Sequence, residues 1–290
     1  MNLNENISRV KELMGVISEQ TNDTDWLINW FKKVPEEKLI KTFKANDNKG
    51  LSKTMSRDEI LKLLSDKSKI MVINDPELIK RLGLKYSLAQ YRIYNGDNNK
   101  PEDKKYLGKV LINGDWKNII KKDPMYQDVK GIDMSKHHEQ THLLQYQQSI
   151  NDDGVSKTDK TQWSKIISGF CKVNPNSFCK NELAYGFGYY QRPDEIYSHL
   201  FSIRELLGID PLDAIVDASA TIKDKTATIN VSVNREGKMI KLPTKTMNTE
   251  SSTFIAIYCC NKSFKETLMY LHNTLAKNNK PNKSDLDTTV

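Results

Sequence analysis

No stretch of this chain approaches the roughly 18 consecutive apolar residues that a membrane-spanning helix needs. With a mean hydropathy of -0.62, a membrane-embedded protein is excluded and a soluble globular one is expected. A secretory signal is also missing. The opening MNLNENISRVKELMGVISEQ mixes charged with apolar residues and has neither an apolar core nor a small-residue cleavage site, so a cytoplasmic location is expected. Cysteine is scarce, at 4 in 290 residues, too few for a disulfide scaffold. Neither Cys171 and Cys179 nor the adjacent Cys259 and Cys260 has zinc-knuckle spacing, so buried thiols in a reducing compartment are expected. The charge of +7 arises from 44 basic and 37 acidic residues that are interleaved along the chain rather than gathered in a basic stripe, so nucleic acid is not an expected partner. No internal repeat is present.

What the chain does contain is a succession of helix and strand signals. Ile7, Val10, Leu13, Met14 and Ile17 share one face of a short amphipathic helix that polar residues end at Gln20 to Asp23. Trp26, Leu27, Trp30 and Phe31 form the apolar face of a second helix, and Leu39, Ile40 and Phe43 follow the helix-start signal of Pro35. Ser56 and Glu59 are spaced as a capping box before Ile60, Leu61, Leu63 and Leu64. The segment Lys69 to Ile73 reads as a strand, and Asp75-Pro76 opens a helix that stops at Gly83. Leu88 to Tyr94 and Tyr106 to Ile112 read as antiparallel strands around a polar loop. A helix from an N-cap at Ser135 to Ser149 ends at Asn151-Asp152-Asp153-Gly154.

Further helices are expected over Trp163 to Phe170, Pro193 to Leu207 with a stop at Gly208, Asp210-Pro211 through about Ala220, and Ser263 to Ala276. A Tyr- and Gly-rich loop precedes Pro193. Thr226 to Val233 and Lys238 to Leu242 flank Asn234-Arg235-Glu236-Gly237 as a hairpin. The Lys- and Asn-rich end from Asn278 is expected to be disordered. The organisation that follows is a leader helix over 1–20, a helical region over 21–68, an α+β domain over 69–277 and a tail over 278–290.

Three of the five histidines fall within "MSKHHEQTHLLQY", residues 134–146. Inside it, His138-Glu139-Gln140-Thr141-His142 matches H-E-x-x-H. Residues four apart on a helix share a face, so both imidazoles can meet one Zn²⁺ at about 2.0 to 2.1 Å. Glu139, one residue past the first ligand, reaches a metal-activated water without ligating, as a general base must. The competing explanation is a solvated, histidine-rich helix face. His137 projects about 100° away and is expected at the surface or in support of a ligand.

A catalytic zinc needs a third protein ligand and an open position. LLQYQQSIND follows His142, so no third histidine stands at the metzincin spacing. In "YYQRPDEIYSHLFSIREL", Pro193 starts a helix with Glu195 in its first turn. Glu195 is the favoured third ligand; Glu182 in "KNELAYGFGYY" and His199 are its rivals. Without a metal, Glu195 is simply a first-turn glutamate favoured by the helix dipole.

With HHEQTH followed by Y-x-x-P-x-E-I on a later helix, the chain resembles the zincin metallopeptidases of the glutamate-ligand (gluzincin) kind, especially small peptidases of tailed bacteriophages. The resemblance covers about residues 85 to 210. It implies His138, His142 and Glu195 as zinc ligands, Glu139 as general base, and a zincin-like domain whose small sheet packs on the motif helix. It also implies an edge strand before that helix to which an extended peptide can add. No oxyanion-stabilising residue is matched by motif. Tyr189, Tyr190 and His199 are candidates by nearness to Glu195, either for that role or as supporting partners of a ligand. Arg204 is read as paired with a carboxylate near the site or as exposed.

The leader resembles amphipathic leaders on tailed-phage proteins, and Ile17-Ser18-Glu19 fits a cleavage pattern found in them; an uncut helix docked on the domain is preferred. The expected function is thus zinc-dependent peptide hydrolysis acting on a peptide or protein, with virion association or the host cytoplasm as the setting. The alternative is a phage virion or host-interaction binding module on a zincin-like scaffold. Three ligand atoms converging beside an open cleft would favour the enzyme. Peptidoglycan cross-links and self-processing stay open as substrates, since ligand motifs do not encode pocket shape.

Overall fold

The computed structural model describes residues 25–35, 55–92, 101–122, 132–149, 162–172, 174–184 and 189–277. The leader, the helix expected after Pro35, the loop Asn151–Gly154 and the tail from Asn278 lie outside the described residues. The architecture is α+β, with helices ahead of a motif-bearing helix flanked by two small sheets.

Helix α1 (Trp26–Lys33) begins where the Asp25 carboxylate accepts the N–H of Ile28. Helix α2 (Arg57–Ser65) begins at a formed capping box, with Ser56 and Glu59 each accepting the other's backbone N–H. The first sheet comprises β1 (Ile70–Ile73), β2 (Ala89–Arg92) and β3 (Lys109–Asn113), in the order β1-β3-β2. β1 runs parallel to β3 and β2 antiparallel to it, which leaves β2 at an edge. Helix α3 (Pro76–Arg81) supplies the crossover between β1 and β2; Asp75 accepts the N–H groups of Glu77 and Leu78 to start it. Helix α4 (Trp116–Lys122) follows β3.

The motif helix α5 (Asp133–Ser149) starts two residues before the expected cap and lies on the first sheet, where Leu143 and Tyr146 pack with Tyr91 and Val110. Helix α6 (Gln162–Phe170) is as expected. Helix α7 (Ser177–Ala184) was not anticipated; it occupies part of what reads as a loop. Helix α8 (Pro193–Leu207) runs through the centre of the molecule, opened by Pro193 and closed by Gly208 at φ 69°, a left-handed conformation open to glycine at little cost. Ile196, Leu200, Phe201, Ile203 and Leu207 join Leu27, Trp30 and Phe31 of α1 in one core. The Phe201 ring lies edge-on to Trp30 with centroids 4.9 Å apart and stacks on Phe31 at 5.6 Å.

The second sheet corrects one expectation. No helix follows Asp210-Pro211; Ala214–Lys223 forms strand β4, paired antiparallel to β5 (Thr226–Arg235) over nearly their whole length. The segment AIVDASATIK alternates small or β-branched residues, and a bulge between Ile215 and Asp217 resets its register so that Ala218 turns inward. Cross-strand pairing and burial outweigh the helix-start signal. The expected hairpin forms: β6 (Lys238–Lys241) returns along β5 through a turn with Gly237 at φ 82°. β7 (Lys245–Asn248) pairs with another stretch of β5. Helices α9 (Ser252–Tyr258) and α10 (Phe264–Lys277) complete the chain, the latter with Leu268 and Leu271 in the main core.

The cysteines overturn the second expectation. They are not thiols but two disulfides, Cys171–Cys260 and Cys179–Cys259. Sequence separations of 89 and 80 residues hid the pairing; packing brings the adjacent pair after α9 against Cys171, just past α6, and Cys179, within α7. Among the described residues, no helix is long and apolar enough to cross a membrane.

Candidate metal centre

Helix α5 is unusual for a core element because His137, Gln140, Thr141, His142 and Gln145 are buried alongside Leu143 and Leu144. Burying polar groups is tolerated only when each finds a partner, and here the partners define the site. Gln140 donates to the carbonyl of Leu64 and Thr141 to that of His137. The His142 Nδ1–H donates to Gln145 Oε1 at 2.7 Å, with Ser198 Oγ a further 3.2 Å neighbour. Gln145 in turn donates from Nε2 to the Asp194 carbonyl at 3.0 Å, which fixes its amide orientation. Ligation of a metal through Nε2 requires the tautomer with its proton on Nδ1, which the bond to Gln145 favours and which turns the Nε2 lone pair toward His138 and Glu195.

The start of α8 meets this face. Tyr146 Oη lies 3.2 Å from Asp194 Oδ2, and Arg192 pairs with the same carboxylate. These contacts, with Gln145, dock the first turn of α8 on α5 and bring Glu195 over the two histidines. His138 Nε2 and His142 Nε2 are 3.2 Å apart, and Glu195 Oε2 is 3.5 Å from the first and 3.4 Å from the second. Tetrahedral ligands at 2.0 to 2.1 Å from one ion are separated by about 3.3 to 3.4 Å. The near-equilateral triangle therefore has the dimensions of three ligand positions around a divalent ion, and the three residues form a cluster suited to hold one.

The electrostatics agree. Burial alone would lower the His142 pKa, but the facing Glu195 carboxylate outweighs it and pushes it up to about 9. Burial would raise Glu195, yet His142 and His138 together hold its carboxyl far below the usual carboxylate range. The site is thus built around an anion that requires positive charge beside it. Glu139 behaves differently: burial raises its pKa, only partly offset by His138, His142 and the Tyr91 N–H. That N–H, on the edge strand β2, donates to Glu139 Oε2 at 2.6 Å.

The rivals for the third ligand separate. The His199 ring centroid is 4.3 Å from that of His138, but its Nδ1 is engaged with Thr253 Oγ1 at 3.0 Å and it does not join the triangle. Burial, then the nearby His138, holds its pKa well below the ordinary histidine value, so it is neutral. Its buried Nε2 has no protein partner among the described residues, and the residue lines the cleft. Glu182 is in α7, and its side chain lies outside the described residues. Tyr189 and Tyr190 also line the cleft. The Tyr189 hydroxyl interacts with Glu195, and burial with this carboxylate raises its pKa strongly.

Two expectations away from the triangle need correction. His137 is not at the surface: it is buried, with Nδ1 2.8 Å from Glu205 Oε2 and Nε2 3.3 Å from Asp25 Oδ1. Burial would lower its pKa, but these two carboxylates outweigh that and push it up to about 9. It therefore ties α1 and α8 to α5 rather than supporting a ligand. Arg204 is not exposed, and among the described residues it is not paired with a carboxylate; it is buried, its guanidinium over Trp30 and Phe201, with Nε donating to His272 Nδ1 at 3.0 Å.

Sequence reasoning missed Gln145, Asp194, Ser198, Tyr91 and Thr253. Gln145 alone left a trace, as a polar residue three positions past His142 on the helix face that carries the histidine pair. Beside the triangle opens a cleft of about 200 Å³, walled by β2, α5, α8 and the start of α9. Compared with known proteins, the chain matches no family model, no curated protein and no solved structure.

Proposed function

We propose that the chain is a zinc-dependent peptidase of zincin type, with His138, His142 and Glu195 as metal ligands and Glu139 as general base. One observation carries the reading: three ligand atoms from two helices stand 3.2 to 3.5 Å apart at the wall of an open cleft, a convergence that a binding module does not require. Zn²⁺, when bound, supplies a Lewis acid and makes water a nucleophile at neutral pH.

The remaining work falls to the chain's own groups. Gln145 keeps His142 in the ligating tautomer. Glu139 lies beside the triangle without belonging to it, and its raised pKa suits a group that takes a proton and passes it to the leaving amine. Neutral His199, with Nε2 uncommitted, and Tyr189, beside Glu195, are the groups available to stabilise developing oxyanion charge.

Substrate alignment follows from β2. The carbonyls of Leu88 and Arg92 accept N–H groups from Asn113 and Gly108 on the β3 side, so alternation turns the N–H and C=O of Ala89 to the free edge beside the cleft. An extended peptide can add there as a strand. The two disulfides suit an oxidising compartment rather than the cytoplasm first expected.

Metal analysis tests the centre. The purified protein should carry close to one zinc, and His138→Ala should lose it; no zinc in the wild type after supplementation sinks the proposal. Glu139→Gln should keep the metal and lose roughly 10²- to 10⁴-fold in hydrolysis, whereas full activity in that variant removes Glu139 from the chemistry.

A further inference from the structure

The cleft has walls unlike those of a site selecting bulky apolar or charged side chains. Serine dominates: Ser87 beside β2, Ser135 on α5, Ser202 on α8, and Ser251 and Ser252 at the start of α9, next to Thr253. Thr253 is engaged with His199, and Ser202 donates to the Ser198 carbonyl at 3.4 Å. Ser251 precedes α9 without capping it through its side chain. The hydroxyls of Ser87, Ser135, Ser251 and Ser252 have no protein partner among the described residues, so each holds hydrogen-bonding capacity toward the cleft. Apolar lining comes from Leu88, Ala89 and Met134 and from the rings of Tyr189 and Tyr190.

We propose, building on the peptidase reading, that this cleft selects peptide bonds flanked by small, uncharged residues: glycine, alanine, or side chains bearing a hydroxyl or amide. Three arguments converge. At about 200 Å³ the cleft is smaller than the roughly 300 to 1,000 Å³ of ordinary ligand pockets, which favours a peptide backbone with small side chains over bulky ones seated within it. A leucine or phenylalanine seated against the serines would strip their water and return no hydrogen bond, a loss that opposes the gain from apolar burial. A substrate hydroxyl or amide replaces that water in kind, and sites built to hydrogen-bond a substrate discriminate strongly against analogues that cannot.

Charge completes the selection. Among the described residues the cleft holds no lysine, arginine or aspartate, and its anions are Glu139 and Glu195. With a divalent ion in the triangle these two charges are balanced. A basic or acidic substrate side chain would then enter without a counter-charge and lose its hydration.

The test uses binding to the zinc-loaded full chain. Calorimetry compares acetohydroxamate, which carries no side chain, with the hydroxamates of serine, leucine and phenylalanine. Seryl-hydroxamate should bind about tenfold tighter than the leucyl or phenylalanyl compound, a difference of 1.4 kcal/mol at 25 °C. Ser252→Leu should reduce or reverse that ratio. A wild type that prefers the leucyl or phenylalanyl probe, or an unchanged ratio in folded Ser252→Leu, overturns the specificity inference while the metal reading stands. Failure of acetohydroxamate to bind overturns the metal reading, and this inference with it. Cleavage-site profiling of a mixed peptide library against Glu139→Gln should show the same preference.

Discussion

Replacing Gln145 with leucine tests whether the support behind the metal triangle is as important as the geometry suggests. The side chain is 4% exposed and makes two hydrogen bonds, accepting from His142 Nδ1–H at 2.7 Å and donating to the Asp194 carbonyl at 3.0 Å. Leucine fills similar volume but makes neither. Ser198 Oγ, 3.2 Å from Nδ1, can take over part of the first bond; the Asp194 carbonyl, one residue from Glu195, loses its tie to α5 through Gln145. Loss of a partner behind a metal-bound histidine typically costs 10- to 100-fold in metal affinity, about 1.4 to 2.7 kcal/mol. Competition with a chromophoric chelator at fixed pH should show that weakening in Gln145→Leu, with far-UV circular dichroism unchanged. Ser198→Ala alone should lose less, and the double variant more than the sum of the two, because Ser198 substitutes only when Gln145 is gone. Zinc affinity within twofold of wild type in folded Gln145→Leu would refute the assignment.

Three other outcomes can be checked on the same protein. Phe201→Ala removes a ring 1% exposed that contacts Trp30, Phe31 and Arg204, and should cost about 3 to 5 kcal/mol in urea unfolding; a loss under 1 kcal/mol would mean that the α1–α8 core is not as packed. His137, raised from 6.5 to about 9 by Asp25 and Glu205 against its burial, contributes stability that is complete below pH 6.5 and lost as pH rises through 9. That amounts to about 3 kcal/mol at most. The stability gap between wild type and His137→Gln should therefore shrink from pH 6 to pH 9.5, and a constant gap argues against the pairing. Thiol titration of the unfolded protein should find no free thiols before reduction and four after, with reduction lowering stability by about 2 to 4 kcal/mol per bond at most; four titratable thiols without reductant would exclude the disulfides.

Much of the local structure could be read from short-range signals. The capping box at Ser56, Asp75-Pro76, and Pro193 with Gly208 mark helix ends through groups a few residues apart, and all form as expected. Strand β4 could not be read this way. Its pairing with β5 is local, but the Asp210-Pro211 signal and the alanines within it favour a helix until the sheet beneath them is known. The disulfides were hidden for a related reason, since partners 80 to 89 residues apart leave no periodicity.

The shared face of His138 and His142, with Glu139 beside it, was legible in the sequence alone, because a spacing of four on a helix fixes a face whatever surrounds it. Glu195 was only a favoured candidate at that level. Its arrival at 3.4 and 3.5 Å from the two histidines depends on α8 docking on α5 through Gln145, Tyr146, Asp194 and Arg192. Arg204 and His137 show the same limit: one proved a buried cation between aromatic rings and the other a buried link among three helices. Both placements come from long-range packing, which sets burial and therefore charge state, and neither is encoded in the neighbouring residues.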